Sequence, residues 1–204
     1  MKKISIFIVT ILIVGVGITG VFFGKTKIDD GHYATFFTQI DKNIWPDYLE
    51  SNRLYIETAR IDQLEFEEAE KQKFQWNEKA RERLERITRA KGYVYALPTF
   101  DNTELITLKD HLVKSMEYLE PSAEGDLLRI KILVCFLTNK SLTECKTDKL
   151  SEEMIHSHTA KFNLAVEEFN KFLEEAEFSK KKIAGKYIKK WSEEKNNMLQ
   201  ELNK

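Results

Sequence analysis

The chain has 204 residues, with 32 Lys+Arg against 33 Asp+Glu, a formal net charge of −1, and only 8 Gly and 3 Pro. That balance excludes the broad basic footprint of a nucleic-acid-binding protein, and it points to no nucleic-acid partner. So few chain breakers point to long helices, in a chain long enough to bury one domain core.

The first element is Ile4–Gly24, ISIFIVTILIVGVGITGVFFG, which no charge interrupts between Lys3 and Lys25. As a helix it would rise about 30 Å, the thickness of a bilayer's hydrocarbon core. A cleavable signal has a shorter apolar core, about 7–15 residues, and ends in small residues. Here the end is Val21-Phe22-Phe23, so an uncleaved signal-anchor is expected. Lys2 and Lys3 set against Lys25 and Lys27 favour an N-terminus in the cytoplasm. The expectation is a single-pass protein of a bacterial inner membrane, with its C-terminal domain outside the cytoplasm (a periplasmic placement). Gly20 and Gly24 form one GxxxG, a weak signal for dimerisation of membrane helices. The expected organisation is an anchor over 1–24, a polar linker over 25–31 and a helical domain over 32–204.

Within the domain, Tyr33, Phe36, Phe37 and Ile40 share one helical face. Trp45-Pro46 is expected to break or bend the chain. From Asp47 to Ala90 an apolar stripe runs through Leu49, Ile56, Ala59, Phe66, Ala69, Trp76, Ala80, Leu84 and Ile87. It reads as one long helix, or two joined near Lys71. Gln63, Glu70, Lys73 and Asn77 would fall on a heptad seam, so a bundle suits the stripe better than a self-sufficient coiled coil. Gly92 is expected to end the helix, leaving Tyr93–Pro98 as an extended crossover loop covering one end of the bundle.

Asp101, Asn102 or Thr103 caps the next helix, which is expected to stop before Pro121. Ser122 opens another, and its segment Leu127–Leu137 should be the most buried. After a polar loop, Ile155, His158, Phe162, Ala165, Phe169, Phe172 and Ala176 alternate steps of three and four. A kink is expected at Phe178-Ser179, and helical spacing then continues through Trp191 to Leu202.

The chemistry on offer is thin. Cys135 and Cys145 are the two cysteines, close enough in sequence to bridge in an oxidising compartment or to stay separate thiols. His156 and His158 point to opposite sides of a helix, so they do not make a metal site. No phosphate loop, nucleophile elbow, dinucleotide fingerprint or HExxH is present, and no cofactor, metal or catalytic residue is expected. Lys180, Lys181, Lys182, Lys186, Lys189 and Lys190 surround Tyr187 and Trp191. Such a basic amphipathic helix can contact lipid or a partner, or pack into its own bundle.

The reading is an all-α protein: an N-terminal transmembrane helix, then an elongated antiparallel bundle of four or five helices. Its expected function is non-enzymatic protein–protein interaction at the membrane, with an unknown protein partner. The rivals are a membrane-tethered enzyme or small-ligand binder with its site among Trp76, Tyr93, Tyr95 and His111, and peripheral lipid contact through the basic tail.

Overall fold

The computed structural model describes residues 30–139, 145, 149–179 and 181–202. Among them the chain forms five helical rods. Helix α1 covers 30–59, α2 is Phe66–Tyr95, α3 is Thr103–Asn139, α4 is Lys149–Ser179 and α5 is Lys181–Leu202. Cross-contacts fix their directions. Asp47 meets Arg86 while Glu57 meets Lys79, so α1 and α2 are antiparallel. Arg83 meets Asp126 while Lys91 meets Glu120, so α2 and α3 are antiparallel. Helix α4 runs back along α3, with Ser115 Oγ donating to the Ala165 carbonyl and His111 beside Glu168. It also lies antiparallel to α1, where Tyr48 stacks on Phe169 and Tyr55 on Phe162. Helix α5 runs parallel to α1, from Thr38–Tyr187 through Trp45–Trp191 to Arg60–Leu202.

The result is a four-helix bundle with α5 laid along the groove between α1 and α4. At 1.5 Å per residue the 37 residues of α3 give it a length of about 55 Å. The main core joins Phe36, Phe37, Trp45, Ile87, Leu108, Leu112, Met116, Phe169, Phe172 and Trp191. A smaller core near the α1–α2 turn joins Ile61, Ala69, Trp76, Ala80, Ile130 and Leu137. In the stripe of α4, Ala165, Phe169, Phe172 and Ala176 are buried, whereas Ile155, His158 and Phe162 are half-buried.

Several expectations are corrected. The expected transmembrane helix over Ile4–Gly24 lies outside the described residues, and no helix among those residues is long and apolar enough to cross a membrane. Every described helix carries charged residues too closely spaced for a lipid environment. The membrane partner through 4–24, the pairing through Gly20 and Gly24, the signal-anchor and the single-pass inner-membrane, periplasmic placement therefore have no support in this structure. The interaction role loses its membrane setting with them.

Trp45-Pro46 does not break α1. A π turn over Ile40–Ile44 leads straight into Trp45–Ala59, placing Pro46 in the first turn, where no N–H is required. The stripe over 47–90 is two helices, but the reversal is at 60–65, not Lys71. A short 3-10 turn over Arg60–Gln63 is followed by Leu64 and Glu65 in extended conformation. Helix α2 runs through Gly92 to Tyr95, and α3 runs through Pro121 without stopping. Leu127–Leu137 is not the most buried segment. Only Ile130 and Leu137 are buried there; Leu127, Leu133 and Val134 are half-buried against the smaller core.

Candidate interaction surface

Where α2 gives way to α3, the loop is pinned on one side and displays aromatic rings on the other. Val94 and Leu97 are buried in the main core, whereas Tyr93 and Tyr95, between and beside them, are exposed. At the end of α2, the Gly92 and Val94 carbonyls accept the Ala96 and Leu97 N–H groups, and the Tyr95 carbonyl and the Leu97 carbonyl beyond it are satisfied by a side chain. Lys109 Nζ donates to the Tyr95 carbonyl at 2.7 Å and to the Leu97 carbonyl at 2.9 Å. A cation there also suits the helix dipole. The α3 cap is Asn102, whose Oδ1 accepts the Leu105 N–H at 3.1 Å.

Between these fixed ends, Phe100 and Asp101 have φ of 52° and 54°, the left-handed region that side chains other than glycine rarely adopt. Each such residue costs on the order of 1–3 kcal/mol and persists only because its surroundings hold it. The conformation stacks the Phe100 ring on His32, with centroids 4.1 Å apart and planes 7° apart, while leaving it 41 % exposed. Next to His32, the Tyr33 hydroxyl donates to Glu104. Glu104 in turn borders a shallow cleft with Thr107, Glu174, Glu175 and Phe178. Phe178 is 93 % exposed. It lies two residues past Ala176, about 200° around the helix from the buried stripe of α4. His32, Phe100, Glu104 and Phe178 thus form a continuous rim, with Tyr93, Tyr95 and Ile106 also exposed near this end of the bundle.

The residues singled out from sequence are scattered. Trp76 belongs to the small core at the opposite end. Tyr95 reaches Glu117 on α3, and His111 sits between Glu168 at 2.9 Å and Glu175 at 3.2 Å. Trp76, Tyr93, Tyr95 and His111 share no cavity among the described residues. Among those residues no grouping of His, Cys, Asp or Glu could hold a metal. Cys135 and Cys145 are joined, with Sγ atoms 2.08 Å apart. In the tail, Trp191 is buried and its Nε1 donates to Asp41 at 2.8 Å. Lys190 pairs with the same Asp41, and Tyr187 bonds Thr38 Oγ1 at 2.9 Å. Lys186 lies over the Tyr187 ring, and Lys189 is 3.9 Å from Glu193. Lys182 is exposed, Lys181 opens α5, and Lys180 lies outside the described residues.

Sequence reasoning missed the polar centre of the bundle. Arg83 and Asp126 are fully buried and 3.2 Å apart. Asp126 also accepts from Thr58 Oγ1 at 2.9 Å and from Arg129 at 3.0 Å. Arg83 donates to Ser122 Oγ at 3.2 Å and lies 4.5 Å from the centre of the Tyr55 ring. Burial pulls the Arg83 guanidinium below its usual range, and the Asp126 carboxylate opposes that pull. A signal was present: Arg83 falls between Ala80 and Ile87, and Asp126 between Ala123 and Ile130, each on an apolar stripe at helical spacing. This cluster lies inside the bundle and fixes the register of α1, α2 and α3; it presents nothing to a substrate.

No protein-family model matches the chain, and neither does any curated protein or solved structure.

Proposed function

We propose that the bundle acts by binding a protein partner through its aromatic end, without catalysis. The observation that carries this is Phe100, held in a left-handed conformation that keeps its ring at the surface. A loop under no demand would relax that backbone or bury the ring. Phe178, Tyr93 and Tyr95 supply further exposed aromatic area, and aromatic side chains are enriched at protein interfaces. The rim is mixed in character: Glu104, Glu174 and Glu175 flank the apolar rings, so a partner carrying Lys or Arg around an apolar centre fits it.

A photo-crosslinking residue at position 178 tests this, with the exposed Lys189 position as control. Discrete adducts from position 178 alone, abolished by Phe100→Gly at unchanged thermal stability, are the expected result. Identical adduct patterns from both positions would overturn the proposal.

A further inference from the structure

Helix α5 bridges a hollow. Its middle is fastened by Trp191 Nε1 to Asp41 and by Glu194, which accepts from Trp45 Nε1 at 2.5 Å. Its far end is fastened by Arg60 to the Leu202 carbonyl. Beside those fastenings, α5 borders a cavity of about 330 Å³ lined by α1, α4 and α5 and partly open to solvent. The floor is aromatic: Trp45, Tyr48, Phe169 and Trp191 stack on one another with centroids 4.1 to 6.0 Å apart. An apolar cleft beside packed helices leaves its lining in contact with water instead of apolar partners. A helix pinned at its middle and its far end cannot sink to fill the gap, so the space persists for an occupant. Its size and apolar walls are those of a small-molecule site.

The edge of the cavity carries charge of one sign. Of its lining residues, Asn170, Ser192 and Lys195 are exposed, and Ser192 and Lys195 share one face of α5 at i, i+3. Lys190 is spent on Asp41 and Lys189 on Glu193, whereas Lys195 forms no ion pair with any described acid. We infer that this cavity binds a single-chain amphiphile with an anionic head: the chain lies over the aromatic floor and a carboxylate meets Lys195 Nζ at the rim. This site is separate from the aromatic end of the bundle and stands independently of the partner reading.

Titration of the full chain with laurate, with dodecanol as the uncharged counterpart, tests the inference. Trp45 and Trp191 line the cavity, so their fluorescence reports occupancy. The expected result is saturable binding of laurate, at least tenfold tighter than dodecanol. Lys195→Glu should weaken laurate at least tenfold while leaving dodecanol unchanged. Ser192→Trp, at an exposed position whose replacement leaves the core intact, should block both. Equal affinity for the two probes, or indifference to Lys195→Glu, would overturn the anionic head. Absence of saturable binding, or binding that survives Ser192→Trp, would overturn the site.

Discussion

Replacing Asp126 by Ala would test whether the buried ion pair holds the bundle in register. The substitution strands Arg83, which has no exposed surface and keeps only one other side-chain hydrogen bond, to Ser122. Its Nε already lacks a partner. Thr58 Oγ1 and Arg129 lose this carboxylate as well, keeping the Tyr55 and Thr58 carbonyls. Breaking a buried pair on one side costs about 3–5 kcal/mol, since a charge is left uncompensated in a low-dielectric site. Replacing both partners, as in Arg83→Met with Asp126→Leu, removes the uncompensated charge and should recover most of that loss. Urea unfolding of wild type, Arg83→Met, Asp126→Leu and the double variant in a double-mutant cycle measures the coupling directly. The exposed pair Arg81–Glu85, at 3.8 Å, is the control and should give about 0–1 kcal/mol. A loss below about 1 kcal/mol for Asp126→Ala, equal to that control, would refute the reasoning.

Asp47 gives a pH prediction. Burial raises its pKa, but hydrogen bonds and charges from Arg89 and Arg86 outweigh it, so its carboxyl titrates below the usual value of 3.8. A depressed folded pKa contributes stability that is present above the unfolded pKa and lost as pH falls through the folded one. Asp47→Asn should therefore flatten the fall in thermal midpoint below about pH 4 while lowering stability at neutral pH. Gly125→Ala should destabilise the bundle by about 1–3 kcal/mol in a thermal melt. The added Cβ would stand 2.4 Å from the Met154 carbonyl oxygen of α4, a backbone atom that cannot swing aside. Reduction of Cys135–Cys145, or its replacement by two alanines, should cost about 2–3 kcal/mol by chemical denaturation, given the sequence separation of 10 residues.

What the sequence determined by itself was the class of structure and the faces of its helices. The three- and four-residue steps of Ala165–Ala176 read as a buried stripe because helical period is a local property, and Ala165, Phe169, Phe172 and Ala176 are buried. Where helices end was less legible. Gly92, Pro121 and Pro46 look like stops, yet tertiary packing carries helix through all three. The real reversal at 60–65 contains neither glycine nor proline, and it forms because Ile61 and Leu64 gain a core between α2 and α3.

The aromatic end was half legible. Tyr93 and Tyr95 stood out in the sequence, but their exposure depends on Val94 and Leu97 taking the core side. Phe178 stood out only as part of a kink at Phe178-Ser179; its exposure follows from the end of α4 at Ser179, which leaves it outside the stripe. The membrane reading rested on the length and apolar run of Ile4–Gly24 and its flanking lysines, and none of the described helices supplies a membrane-spanning segment. The polar centre and the cavity were decided only by tertiary structure. Arg83 becomes a buried charge only when Asp126, Ser122 and Tyr55 arrive from two other helices. The hollow beneath α5 exists only because Trp45–Glu194 and Arg60–Leu202, contacts between residues more than a hundred positions apart, hold one helix over the gap between two others.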